Sequence, residues 1–270
     1  MKQEIIQKIE QQIEAGIYPG ASFAYYQDGA WTDWYLGESN PEIGEKTRKG
    51  LVYDLASVSK VVGVGTALTF LWEAGKIELD QPIKVYLPEA DYPDITIRQL
   101  LTHTTDLDPF IPNRGQLTSE QLREAMFHLN RREKRSFLYS DVHFLLLGFL
   151  LETYFKKDLD VILQEQVLIP WKMGETRFGS VPSAVPTVRG QKAGVVHDPK
   201  ARVLGKHAGS AGLFSTVADL KLFLEHYLKD SFAEELTQNF SDLDDRERSL
   251  AWNLEGDWLD HTGYTGTFIT

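Results

Sequence analysis

The stretch from Val61 to Trp72 is apolar and follows at once on Asp54-Leu-Ala-Ser57-Val-Ser-Lys60. Such a run reads as a helix buried in a core, with the heptapeptide at its mouth. Ser57 and Lys60 stand three apart, so they share a helical face and the amine comes within hydrogen-bond reach of the hydroxyl. A serine is a poor nucleophile until a neighbouring base takes its proton. A lysine held in an apolar, crowded site loses enough basicity to join in that transfer. The helix N-terminus adds free N–H groups and positive dipole character, which suit an oxyanion. The plainer alternative is a Ser57 that only caps the helix and a Lys60 in solvent. Ser-x-x-Lys arises by chance about once in a chain of this length, so other segments must decide.

The 270 residues suffice for one large domain or two small ones, and 42% hydrophobic and 11% aromatic content describe a globular chain. No apolar run approaches a membrane span. The N-terminus lacks the basic-then-apolar plan of a secretory signal. Ile5, Ile6, Ile9 and Ile13 recur there at helical spacing and predict an amphipathic helix. A cytoplasmic location is expected, or an extracellular one if a leader was removed. With no cysteine, disulfides, thiol catalysis and Cys-based metal sites are excluded. The net charge of −11 argues against a nucleic-acid partner. There is no His-Glu-x-x-His, and His103, His143, His197 and His207 show no ligand spacing. They are expected to be solvated or capping residues, with no metal and no cofactor.

Two β-type runs, Gly20–Tyr26 and Trp31–Leu36, flank Gln27-Asp28-Gly29 and predict a hairpin. The helix after Ser57 is expected to run to about Ala74 and stop at Gly75. Helical segments follow at 97–103, 119–129 and 142–155, then a Pro/Gly-rich loop over 182–205. Ser215-Thr-Val-Ala-Asp219 has an N-terminal helix signature and opens Leu220–Leu228. Residues 257–263 and 264–269 read as strands. The simplest arrangement is a sheet built from both chain ends with a helical block between them.

Three elements together resemble one family. Besides Ser57-Val-Ser-Lys60, the chain has Tyr139-Ser-Asp141 leading a buried helix and His261-Thr-Gly263 on a late strand. Their order and wide spacing are similar to the Ser-x-x-Lys, Tyr-x-Asn and Lys-Thr-Gly set of class C β-lactamase and penicillin-binding-protein-like serine hydrolases. The segments Ile97–Thr104, Val196–Ala201 and Ala211–Leu220 look like the same family, and the similarity runs from Pro19-Gly20 to Phe268. The resemblance implies an α+β, β-lactamase/transpeptidase-like fold: an antiparallel sheet flanked by helices, plus an inserted helical subdomain. It implies one domain over 1–270, with an α/β part at about 1–75 and 205–270 and a helical part at about 76–204. It also implies Ser57 as acylated nucleophile, Lys60 as its partner and Tyr139 as general base, a phenolate or near-phenolate beside Lys60. The backbone N–H groups of Ser57 and Tyr264 would form the oxyanion hole. Thr262 and Gly263 would let the strand edge pair with an extended acyl substrate.

Asp141 stands where the family pattern has Asn; an ionised carboxylate only accepts where an amide could donate, and it favours a charged Lys60. His261 replaces the usual Lys and removes a fixed positive charge for a substrate carboxylate. Both departures favour an esterase, or a hydrolase of D-amino-acyl or peptide-like substrates, over efficient β-lactam hydrolysis. The alternative is a catalytically weak or inactive ligand-binding protein. The family pattern also implies further sheet strands and a C-terminal helix beyond Thr270, so an unpaired sheet edge is expected, and with it self-association. Phe110, Trp171 and Phe178 could line an apolar site, although ordinary packing is the preferred reading.

Overall fold

A computed structural model describes residues 2–270 other than Arg189, Gln191 and Asp245. A helix over Lys2–Glu14 leads into an antiparallel hairpin of β1 (Gly20–Gln27) and β2 (Ala30–Asn40), paired from Gly20↔Gly37 to Gln27↔Ala30. Asp28 and Gly29 make the turn with φ of 52° and 81°, the left-handed values that a two-residue hairpin loop needs. The first helix forms where its isoleucine spacing predicts, but none of its residues is fully buried.

The other strands are short: β3 (Glu45–Lys46), β4 (Tyr53–Asp54), β5 (Arg177–Phe178), β6 (Leu213–Ser215), β7 (Asn253–Glu255), β8 (Trp258–Thr262) and β9 (Phe268–Ile269). All pairings are antiparallel, giving the α+β character. The single sheet from both chain ends does not form as one continuous ladder. The described residues make three three-stranded sheets, ordered β1-β2-β3, β4-β6-β5 and β7-β8-β9. The late strand expected over 264–269 shrinks to β9, because Gly263 to Gly266 close a turn through the Gly266 N–H to Gly263 carbonyl bond.

The apolar run after Ser57 is a helix in three consecutive segments: Val58–Lys60, a π-helical turn at Val61–Gly65, and Thr66–Glu73. Gly75 follows with φ 63°, ending it where predicted. Its valines disfavour helix intrinsically. Val58, Val61, Val62 and Val64 are nevertheless wholly buried. Burial of each contributes about 1.5–3 kcal/mol, which outweighs propensity. Asp141–Phe155 is the second core helix, buried continuously from Val142 to Glu152 and capped by Ser140, whose hydroxyl accepts the Val142 N–H. The two helices and the 209–210 loop pack closely: a Cβ at Gly209 would lie 2.2 Å from the Phe144 carbonyl oxygen.

Within the predicted 182–205 loop, Pro199–Leu204 is helical, with the Asp198 carboxylate accepting the Ala201 N–H. This Asp-Pro N-terminal signature is obscured by the prolines and glycines around it. Trp171 is core, packed on Phe70, Phe223 and His226, whereas Phe110 is exposed. No helix among the described residues is long and apolar enough to cross a membrane.

Candidate active site

Ser57 sits on a turn pinned from three sides. Strand β4 ends at Asp54, paired with Phe214 of β6. The Asp54 carboxylate accepts the N–H groups of Ala56 and His197, both at 2.8 Å. From the β8–β9 turn, the Thr265 hydroxyl donates to the Asp54 carbonyl at 2.7 Å and the Thr267 hydroxyl to the Leu55 carbonyl at 2.8 Å. These bonds hold Ala56 at φ 45°, a left-handed conformation that costs a non-glycine residue energy. Ser57 heads the helix, yet its side chain makes no capping hydrogen bond. The capping alternative fails.

The Ser57 hydroxyl instead meets Lys60, whose side chain is fully buried. Its Nζ lies 2.9 Å from Ser57 Oγ, 2.8 Å from Asp141 Oδ1 and 3.0 Å from the Ser210 carbonyl oxygen. Three acceptors around one nitrogen match the three N–H donors of an ammonium. Burial pulls the Lys60 amine down, but the Asp141 carboxylate and the Tyr139 phenol outweigh it and hold the group above its ordinary value. Lys60 is therefore charged at neutral pH. The apolar lysine that gives up its proton, expected from the sequence, is overridden by Asp141. Burial pushes Asp141 up, yet Lys60 and Lys200 together hold its carboxyl well below the usual carboxylate range.

Tyr139 covers this cluster. Lys60 Nζ stands 5.0 Å from its ring centroid, and the ring lies between those of His103 and His261, at 4.6 and 6.0 Å. His103 ends the Ile97–Thr102 helix with φ 60°. Its carbonyl accepts the Leu138 N–H, its ring faces Tyr139, and its Nδ1 lies 3.4 Å from the Ser140 N–H. His143 Nδ1 meets His103 Nδ1 at 2.8 Å, and His143 Nε2 meets Thr105 Oγ1 at 2.8 Å. Neither ring is solvated, since both are buried, although His103 does cap the C-terminus of its helix through its backbone. Burial pushes His143 down to about 3 and, with His143 beside it, His103 well below its ordinary value. His261 is likewise buried rather than open to substrate, with Nδ1 2.9 Å from the Thr262 carbonyl oxygen. Burial and then Lys60 and Arg248 push it to about 3. The imidazole is neutral and carries no charge for a substrate.

Sequence reasoning missed two side chains here. Lys200, from the short helix in the 182–205 loop, holds Asp141 Oδ2 at 2.9 Å. Arg248 is fully buried, with Nε and Nη2 lacking hydrogen-bond partners among the described residues. Its guanidinium is close enough to act on His103, Tyr139 and His261, and burial lowers it to about 10. Lys200 lies within the family-like segment Val196–Ala201 without a role assigned to it there, and no motif marks Arg248.

The end of β8 abuts the nucleophile turn. A Cβ at Gly263 would fall 2.0 Å from Thr267 Oγ1 and 2.5 Å from the Leu55 carbonyl oxygen, so only glycine fits there. That contact sets Gly263, the residue before Tyr264, against Leu55 and Ala56. Neither the Ser57 nor the Tyr264 amide donates a hydrogen bond among the described residues. Thr262 is exposed. Asp260 is the last β8 residue paired to β7, so 261 and 262 have a ladder partner on the β9 side only. Elsewhere, Glu152, Asp158 and His207 bring three ligand-type atoms within 4.8 Å of one another, a grouping their sequence spacing hides. Arg123 and His207 already pair with Glu152, and Lys206 with Asp158.

The sequence profile of the family described as Beta-lactamase matches residues 5–270. The chain belongs to the β-lactamase family. It is 27% identical over 332 aligned residues to an Escherichia coli K12 protein named "Putative D-alanyl-D-alanine carboxypeptidase", covering 96% of this chain and 76% of that one. It is 25% identical to a Bacillus subtilis protein named N-acetylmuramyl-L-alanine amidase, covering 98% of this chain and 76% of the relative. Among solved structures, FmtA from Staphylococcus aureus superposes with a TM-score of 0.78 at 18% identity, over 97% of this chain and 78% of that one. A class C β-lactamase from Rhodobacter sphaeroides gives 0.71 at 18% identity, over 95% and 74%. The fold is thus β-lactamase/transpeptidase-like, and this β-lactamase-family chain is a hydrolase by kinship.

Proposed function

We propose that this β-lactamase-family chain hydrolyses an ester or amide through an acyl-enzyme on Ser57, acting on D-amino-acyl or peptide-like substrates rather than efficiently on β-lactams. One observation carries the reading: a buried Lys60 joins the Ser57 hydroxyl to Asp141 beneath Tyr139. Tyr139, as its anion beside the Lys60 ammonium, takes the Ser57 proton as Oγ attacks the acyl carbon. The free amides of Ser57 and Tyr264 face the developing oxyanion. Tyr139 then passes the proton to the leaving alcohol or amine, and water releases the acyl group by the reverse path.

The D-alanyl-D-alanine carboxypeptidase name of the relatives fits this substrate class. His261 carries no charge for a terminal carboxylate, and the wholly buried Arg248 is not open to one. The competing reading, a ligand-binding protein, is favoured by the charged state of Lys60. Intact-mass spectrometry after exposure to a fluorophosphonate decides between them. One adduct, absent in Ser57→Ala, supports the acyl-enzyme; a folded protein with no adduct overturns it.

A further inference from the structure

Asp141 is the residue at which the site departs furthest from the pattern of its motif, and the structure gives it two lysines instead of one. Lys60 holds Oδ1 at 2.8 Å, and Lys200 holds Oδ2 at 2.9 Å. Lys200 comes from the helix Pro199–Leu204, whose start is fixed by Asp198 through the Ala201 N–H at 2.8 Å. The Asp198 carboxylate also reaches Lys200 Nζ at 3.5 Å, a weak contact that steers the side chain without neutralising it as fully as Asp141 does. The Lys200 side chain is only 11% exposed, so its interaction with Asp141 is little screened by water.

The other titratable groups facing this cluster are few. Tyr139 faces Lys60 from the strand side of the 141–155 helix. His143, one helical step from Asp141, feels both Lys60 and Asp141. His103 and His261 feel Lys60, and Arg248 lies behind them. The three imidazoles are held neutral by burial. The local charge balance near Ser57 therefore sets Lys60, Lys200 and Arg248 against Asp141 and Asp198.

A lone carboxylate against Lys60 would form a closed neutral pair and blunt the positive potential that both the Tyr139 anion and the oxyanion require. We propose that Lys200 is a positioning residue of this site: by holding the second oxygen of Asp141 it fixes the carboxylate and keeps the cluster net positive, setting the pH at which Ser57 becomes reactive. The inference rests on the acyl-enzyme reading above. Its sign does not depend on which group is the base. Removing a nearby positive charge makes any base at Ser57 hold its proton more tightly.

The test is the pH profile of the fluorophosphonate labelling rate, followed by intact mass on the full chain. Lys200→Met moves the acid limb up by about one pH unit, a roughly tenfold loss of rate below the midpoint. Lys200→Arg leaves it in place. Asp141→Asn moves it down, and adding Lys200→Met to Asp141→Asn moves it back up by about the shift seen alone. Lys200→Gln keeps a donor to Asp141 but not the charge, and gives the same upward shift should Lys200→Met fail to fold. A folded Lys200→Met or Lys200→Gln protein with an unmoved profile overturns the role of Lys200 while leaving Ser57 acylation standing. No labelling of the unsubstituted protein at any pH overturns the acyl-enzyme reading and the role of Lys200 together.

Discussion

Mild acid destabilises this protein through the buried histidines near Tyr139. His143 and His261 are 1% and 2% exposed, and burial holds both near 3 against 6.5 for a free side chain. The unfolded chain takes up a proton at each as the pH falls below 6.5, and the native protein does not. Stability is thus fully present above about pH 7 and is lost progressively down to the folded values. At pH 5 the linkage relation gives about 2 kcal/mol per histidine, or about 4 kcal/mol for the pair. His103 adds to this in the same direction. Asp141, held low, is ionised in both states across this window and contributes nothing to the slope. Asp54, raised by burial, works the other way as it protonates first in the native state. The variants therefore carry the test. Urea unfolding between pH 7.5 and 5 is compared for the parent, His143→Asn and His261→Asn, each of which flattens the pH dependence by about 2 kcal/mol. An unchanged slope in both variants refutes the claim that these imidazoles are buried neutral.

Three further outcomes are expected. Ser57→Ala abolishes labelling while changing stability by less than about 1 kcal/mol, because the lost hydroxyl is only part-buried; activity and melting temperature check it. Lys60→Met abolishes activity and costs about 3 kcal/mol by breaking a buried pair, although Lys200 still covers one oxygen of Asp141. Urea unfolding measures that cost. Gly263→Ala forces a methyl group against the Leu55 carbonyl and Thr267, costs about 1–3 kcal/mol, and lowers the labelling rate more than tenfold by moving the Tyr264 amide away from Ser57.

The parts legible in the sequence are those governed by neighbours along the chain. The Asp28-Gly29 turn, the stop at Gly75 and the Thr216 cap over Asp219 depend on local backbone chemistry and appear where predicted. The same holds for Ser57 and Lys60, whose contact needs only three residues of helix. Short strands were harder, since β4 and β9 are two residues long and exist through their partners. Histidines 103 and 143 looked unremarkable, and the motif position of His261 gave no hint of its burial, because nothing in one strand or helix says that three separate segments converge near Tyr139.

Lys200 illustrates why composition and motif could not finish the site. Asp141 looked like a defect when read alone, since a carboxylate beside Lys60 suppresses a lysine base. The fold supplies a second cation from a helix 59 positions on, inside a stretch whose prolines and glycines spell loop. With Arg248 and Asp198 counted, two lysines on Asp141 leave a net positive cluster where one lysine would leave a neutral one. That residual charge is what a tyrosine base needs when the neighbouring lysine keeps its proton. On the proposed acyl-enzyme reading, the burden of activating Ser57 passes from the amine that the motif advertises to Tyr139 and the electrostatic field around it.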